Sequence, residues 1–174
     1  MIYATTERLI LRSWQPEDLP LFARMNKDMQ VMKYFPSPFK DAETEAFYNR
    51  INNEFATKGF GLYAIELKST GEFIGYVGLH EIAFDADFTP GTEIGWRLDA
   101  AHHNQGYATE AAKAVLKLAR KAGLKQLYSF TAKENKPSQR VMQKIGMTSI
   151  GEFNHPSLQP DSPLYCHVLY KIEL

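Results

Sequence analysis

The run GYATEAAKAVLKLARKAG, residues 106–123, constrains the fold more than any other stretch of the chain. On a helix, Ala108, Ala111, Ala112, Val115, Ala119 and Ala122 fall on one face, and Glu110, Lys113, Lys117, Arg120 and Lys121 on the other. A face of alanines lets a helix axis lie close to its partner, and the partner it suits is a sheet. Strand signals stand on both sides of it. ERLILRSW (7–14) alternates apolar and polar residues, FGLYAIEL (60–67) and FIGYVGLHEIAF (73–84) flank the turn KSTGE as a hairpin, and TEIGWRL (92–98) follows the loop DADFTPG. QLYSFTA (126–132) is a further strand, and two more are expected at about 147–153 and 164–173, separated by NHPSLQPDSP.

Residues 15–35 read as one or two short helices, with Pro16 in the first turn, Glu17 and Asp18 at the electropositive end, and PSPF (36–39) as the break. A polar-faced helix is expected at about 41–57, closed by Gly59 and Gly61, and a short one at 136–146 with Pro137 near its start and Gly146 at its end. The order of elements predicts a mixed sheet covered by helices. Neither a repeat nor a linker interrupts it, so one domain is expected over residues 1–174.

Lys plus Arg and Asp plus Glu number twenty each, so no overall field favours nucleic acid or an anionic membrane as a partner. The lone Cys166 excludes an intramolecular disulfide and fits a reducing cytoplasm. The first residues lack the pattern of a signal peptide, and no apolar run reaches the roughly 20 residues of a membrane span. A cytoplasmic protein is the expectation.

HHNQG, immediately before the alanine-faced helix, carries the functional signal. Four N–H groups at a helix start lack internal partners, the dipole adds positive character, and Gly106 admits a ligand close to the backbone. The alternative is that Gly106 only makes a tight turn. A P-loop is excluded because no Lys-Ser/Thr pair follows, and a dinucleotide fingerprint because its three glycines are missing.

WRLDAAHHNQGYATEA resembles the acetyl-CoA loop of the GNAT superfamily of N-acetyltransferases, whose pattern is Gln/Arg-x-x-Gly-x-Gly/Ala. His103, Gly106 and Ala108 stand at its three defining positions, His103 in place of the usual Gln or Arg. TERLILRSWQPEDLPLFARMNKD is similar to the opening of the branch that contains the ribosomal-protein N-terminal acetyltransferases. ENKPSQRVMQKIGM is similar to that branch's N-x-x-S…K-x-G-F segment, with Asn135, Ser138, Lys144, Gly146 and Met147 at matching positions. The resemblance implies an α+β fold with a mixed, mostly antiparallel central sheet flanked by helices. It implies acetyl-CoA as acetyl donor, held by His103, Asn104, Gln105, Gly106, Tyr107, Ala108 and Thr109, with Asn135 on the pantetheine arm and backbone groups of Leu98 beside the thioester.

Acetyl transfer to a primary amine requires loss of a proton from the amine, since a Lys side chain (pKa about 10.4) or an α-amine (about 8) is largely protonated at neutral pH. It also requires donors for the acyl oxygen and for the leaving thiolate. The resemblance implies Ser138 as donor to the thiolate, with Tyr165 as substitute, and Glu93 as proton acceptor, with Glu81, Asp161 and His167 as alternatives. The plain readings are a first-turn helix serine and a strand-start carboxylate. Trp14 and VMKYFPSPF (31–39) are candidates to border the acceptor pocket. The five histidines do not form a metal-ligand pattern. The acceptor is expected to be a protein N-terminus or a small-molecule amine, and the protein a monomer or homodimer. The rival is a catalytically silent acyl-CoA sensor or interaction module.

Overall fold

The structure is a computed structural model that describes residues 1–174. In chain order the elements are β1 (Ile2–Thr5), β2 (Leu9–Arg12), α1 (Asp18–Lys27), α2 (Asp41–Lys58), β3 (Leu62–Leu67), β4 (Phe73–Glu81) and β5 (Thr92–Leu98). After a 3₁₀ turn (Ala100–His102) come α3 (Tyr107–Lys121), β6 (Gln126–Ala132), α4 (Lys136–Lys144), β7 (Thr148–Asn154) and β8 (Cys166–Glu173). All eight strands form one sheet in the order β1-β2-β3-β4-β5-β6-β8-β7. Only β5 and β6 run parallel, because α3 carries the chain back between them. The architecture is the α+β, mixed and mostly antiparallel sheet that the resemblance implied.

Alternation along β3 divides the core. Tyr63, Ile65 and Leu67 face α3, whereas Leu62 and Ala64 face α1 and α2. On α3, Ala111, Ala112, Val115 and Ala119 are fully buried, so the alanine face does meet the sheet. Two assignments on that helix are corrected. Ala122 lies past the last turn and is exposed, and Glu110 leaves the solvent face to accept hydrogen bonds from Thr6 Oγ1 (2.6 Å), Arg8 N (2.8 Å) and Arg8 Nε (2.7 Å). Residues 15–35 contain one helix, α1, followed by turns. The first strand expected at 7–14 is only Leu9–Arg12, and it pairs with β1, which the sequence reading did not anticipate.

Arg12 ties α1 to the sheet. Its guanidinium meets both oxygens of Asp18 at 2.8 and 2.9 Å and Glu66 at 2.6 Å, in a site where Arg12 and Asp18 are both buried. Removing Asp18 leaves two buried guanidinium N–H groups without their acceptor and only Glu66 against the charge. Asp18→Ala is therefore expected to destabilise the fold by about 3 kcal/mol. A urea midpoint within error of the parent at equal slope would contradict this.

Candidate active site

The β5/β6 pair opens the sheet. β4 and β5 stay in register from Gly75↔Leu98 to Glu81↔Thr92, and β6 and β8 from Gln126↔Glu173 to Ala132↔His167. Between β5 and β6 the ladder holds only at Glu93↔Tyr128, after which the strands diverge. At the point of divergence a side chain replaces the ladder, Ser129 Oγ donating to Ile94 O at 2.8 Å. The divergence opens a cavity of about 800 Å³ running from the α3 N-terminus to the α1–α2 connection.

The phase of the β4–β5 ladder decides what β5 offers the cavity. Asp99 N donates to Ile74 O at 2.8 Å, so Glu93, Gly95 and Arg97 direct their backbone groups to β4. Ile94, Trp96 and Leu98 direct theirs into the opening. The carbonyl of Leu98 is already engaged, 2.8 Å from His103 Nε2, a bond that requires the Nε2–H tautomer of His103. Leu98 thus offers its N–H side rather than both groups. Gly75 holds the two strands together here, because at its φ of +133° a Cβ would overlap the Arg97 carbonyl.

At the α3 end, Asn104 (φ 59°) and Gly106 (φ 82°) both adopt left-handed conformations, which makes the turn concave. Glu110 N→Gly106 O is the first helical bond, so the N–H groups of Tyr107, Ala108 and Thr109 remain free at the cavity wall. His103 serves by fastening the turn to β5. Gln105 turns away; its side chain donates to Ala101 O at 2.8 Å and does not line the cavity. Arg8, which no sequence motif marks, clamps this turn. Arg8 Nη1 donates to Gln105 O at 3.0 Å, its Nε pairs with Glu110 at 2.7 Å, and its guanidinium lies 4.3 Å from the Tyr107 ring centroid. A concave row of N–H donors at a helix start fits a diphosphate.

On the far wall, Asn135 caps α4, its Oδ1 accepting from Ser138 N at 3.3 Å. Its two amide hydrogens go to Thr131 Oγ1 (2.9 Å) and Ser138 Oγ (3.2 Å), so Asn135 positions Ser138 and has no amide hydrogen left for a ligand. Ser138 Oγ also accepts from Trp96 Nε1 at 3.3 Å. With two donors aimed at its oxygen, Ser138 has its own hydroxyl hydrogen left to give.

Glu93 is no ordinary strand-start carboxylate. Its side chain is 12% exposed, and it sits 2.6 Å from His80 Nε2, directly across the ladder. Burial alone would lower the His80 pKa, but the charge and hydrogen bond of Glu93 outweigh it and hold the imidazolium above its ordinary range. Of the alternatives, His167 lines the cavity, but burial and then the charge of His155 push its pKa down to about 4, which leaves a neutral, weak base. Glu81, Asp161 and Tyr165 do not line the cavity. His80 carried no motif; only the hairpin register, with its bulge before Gly75, brings it to Glu93.

The segment VMKYFPSPF borders the end of the cavity beyond β5, through Val31, Lys33, Tyr34, Phe35 and Pro36. Trp14 does not. It is buried between α1 and the sheet, its Nε1 donating to Leu62 O at 2.7 Å and its rings tilted against Phe22 and Phe73. An indole satisfied by a backbone carbonyl inside an aromatic cluster belongs to the core.

Residues 8–148 match the family model described as an acetyltransferase (GNAT) domain. The chain is 31% identical over 154 residues to YnaD of Bacillus subtilis (strain 168), called an uncharacterized N-acetyltransferase, covering 87% of this chain and 86% of that protein. The crystal structure of a GNAT-family acetyltransferase from Bacillus anthracis superposes with a TM-score of 0.79 at 29% identity, covering 99% of this chain and 98% of that one. RimL, a ribosomal alpha-N-protein acetyltransferase solved in complex with coenzyme A, superposes with a TM-score of 0.77 at 17% identity. That alignment covers 100% of this chain and 98% of RimL, and the likeness is one of fold.

Proposed function

The chain belongs to the GNAT family of acetyl-CoA-dependent N-acetyltransferases, and from that premise we propose that residues 1–174 work as one catalytic domain that acetylates a primary amine on a protein N-terminus or a small molecule. The observation that carries the reading is the opening between β5 and β6, with a helix N-terminus at one end, Ser138 on one wall and the His80–Glu93 pair at the other end.

Acetyl-CoA supplies the acetyl thioester. The chain's part begins with the N–H groups of Tyr107, Ala108 and Thr109, which hold the diphosphate at the concave turn. The N–H groups of Trp96 and Leu98, directed into the opening, hold the pantetheine arm and the acyl oxygen, where developing negative charge is stabilised by fixed donors. The His80–Glu93 pair takes the amine proton, directly or through one water. Glu93 strengthens His80 as an acceptor by favouring its charged form, which brings the pair's proton affinity towards the working pH. Ser138 donates a hydrogen bond from its free hydroxyl to the departing thiolate and keeps its proton. Much of the acceleration comes from holding amine and thioester together, and the side chains add to it.

Thiol release from acetyl-CoA, measured across α-amino peptides and small primary amines, tests the reading. Acceptor-dependent release with an N-acetyl product by mass is expected. Tight acetyl-CoA binding without acceptor-dependent release anywhere in the panel would overturn it in favour of a silent binder.

Ser138→Ala is expected to lower kcat by about 10- to 100-fold while moving KM for acetyl-CoA much less, because its hydrogen bond matters mainly in the transition state. Equal kcat in parent and variant, with chemistry rate-limiting, would make Ser138 only a first-turn helix residue.

A further inference from the structure

Two arginines of the sheet are buried, and their surroundings differ. Arg12 is neutralised by Asp18 and Glu66. Arg97, 7% exposed, has no carboxylate partner. Its guanidinium lies among aromatic rings, 4.6 Å from the centroid of Phe35, 5.2 Å from Phe39, 5.5 Å from Tyr76 and 5.7 Å from Phe47. Nη1 donates to Asn26 Oδ1 at 2.8 Å, and Nε is buried without an acceptor. Asn26 is itself fully buried and is held by a bond from its Nδ2 to Thr44 Oγ1 at 3.1 Å. Ring faces and one amide oxygen compensate a buried cation only in part, and burial presses the Arg97 pKa downward. With Nη1 committed to Asn26 and Nε enclosed, Nη2 remains as the edge of the guanidinium open to an incoming carboxylate oxygen.

The position of that edge gives it a use. Arg97 lines the cavity at the end bordered by Lys33 and Phe35, on the same face of β5 as Glu93. Gly95 stands between them on that face and contributes no side chain, while Tyr76, across the ladder from Arg97, feels the charge of both Arg97 and Glu93. Glu93 is the only carboxylate lining the cavity, against Lys33, Arg97, Arg140 and Lys144. Arg140 and Lys144 belong to α4, which also carries Ser138. Arg97 and Lys33 remain for the acceptor.

We propose that Arg97 anchors the acceptor through a carboxylate, so that the substrate is a small amino acid whose amine meets the His80–Glu93 pair while its carboxylate meets Arg97. The inference rests on the reading that this end of the cavity receives an amine acceptor. It narrows that reading, since an uncharged amine would leave the buried guanidinium without a counter-ion.

The test compares straight-chain amino acids from glycine to 6-aminohexanoate with their primary amides, as kcat/KM per unprotonated amine. A charge-assisted bond at a buried site predicts that the parent favours at least one acid over its amide by roughly 10- to 100-fold. Arg97→Met should bring that ratio near one. Because Arg97 also packs among aromatic rings, Asn26→Asp provides the second variant. It places a carboxylate on Nη1 inside the protein, where it competes with the substrate's, and it should flatten the ratio without removing the arginine. Acetyl-CoA affinity by calorimetry reports that each variant is folded. Equal use of acids and amides by the parent, or an undiminished preference in Asn26→Asp, would overturn the proposal while the acetyltransferase reading stands. Turnover of neither series would overturn the proposal, whereas the acetyltransferase reading falls only if the α-amino peptides of the wider panel also fail.

Discussion

Gly106→Glu is expected to abolish acetyl-CoA binding, raising Kd by more than about 1,000-fold, because a carboxylate placed against a diphosphate costs several kcal/mol. The substitution acts at the point where the turn from His103 enters α3 and the free N–H groups of residues 107–109 converge. A side chain at φ +82° adds about 1 kcal/mol or more of backbone strain. Its Cβ would lie 3.3 Å from Arg8 Nη2, so the new carboxylate finds a cation at once and the fold has reason to survive. The same pairing would put a fixed negative charge where the phosphates belong. Gly106→Ala separates the two costs, since it brings the strain without the charge and should weaken binding by about tenfold or less. Calorimetry on the folded Glu variant showing parental affinity would remove the turn from the binding site.

The second large effect belongs to Glu93. Glu93→Gln is expected to lower kcat/KM for the acceptor at neutral pH by about 100- to 10,000-fold, the range of a positioned proton acceptor. The pH dependence carries the sign. In the parent, the net effect of burial and Glu93 holds the His80 pKa above its ordinary 6.5, so the pair gains the capacity to accept a proton as pH rises through that higher value. The rate should climb along that limb. In the variant the charge and hydrogen bond of Glu93 are gone, burial is the largest remaining influence against the charge of Glu54, and the His80 pKa falls, so the limb moves to lower pH. What remains is the acceptor's own titration, and part of the rate returns under alkaline conditions where free amine is abundant. Two acceptors of different amine pKa separate the limbs, because only the acceptor's limb moves with the acceptor. A folded variant whose profile overlays the parent for both acceptors would rule out Glu93.

The elements that could be read from the sequence are those whose pattern is local. β5 and β6 fall at 92–98 and 126–132 as periodicity and turn residues predict, and α2 ends at Gly59, which is left-handed in the structure. β1 escaped because four residues at the sheet edge, with a register shift after Ile2, make no periodic signal. The concave turn was legible through Gly106, whereas its clamp was not, since Arg8 is nearly a hundred residues away and no spacing rule links them. His80 and Glu93 meet only through the β4–β5 register. Trp14 was misjudged because aromatic composition does not say which side of a helix–sheet contact a ring occupies. Arg97 stood inside a strand that was read correctly, but only the rings and Asn26 around it make its isolation visible.

The divergence of β5 and β6 also has a mechanical meaning. In a slab notched part-way through, opening stress gathers at the notch tip, and here the tip is the Glu93↔Tyr128 bridge reinforced by the Ser129–Ile94 bond. Apart from the bridge and that bond, the half built from β1–β5 and the half built from β6–β8 meet through helix packing and the rings of Phe84 and Phe88 against Phe130 and Phe153. A long thin ligand seated in the notch is a strut, loading both flanks and relieving the tip. Cosubstrate binding is thus expected to stiffen the whole sheet, leaving the apoprotein the more compliant of the two states.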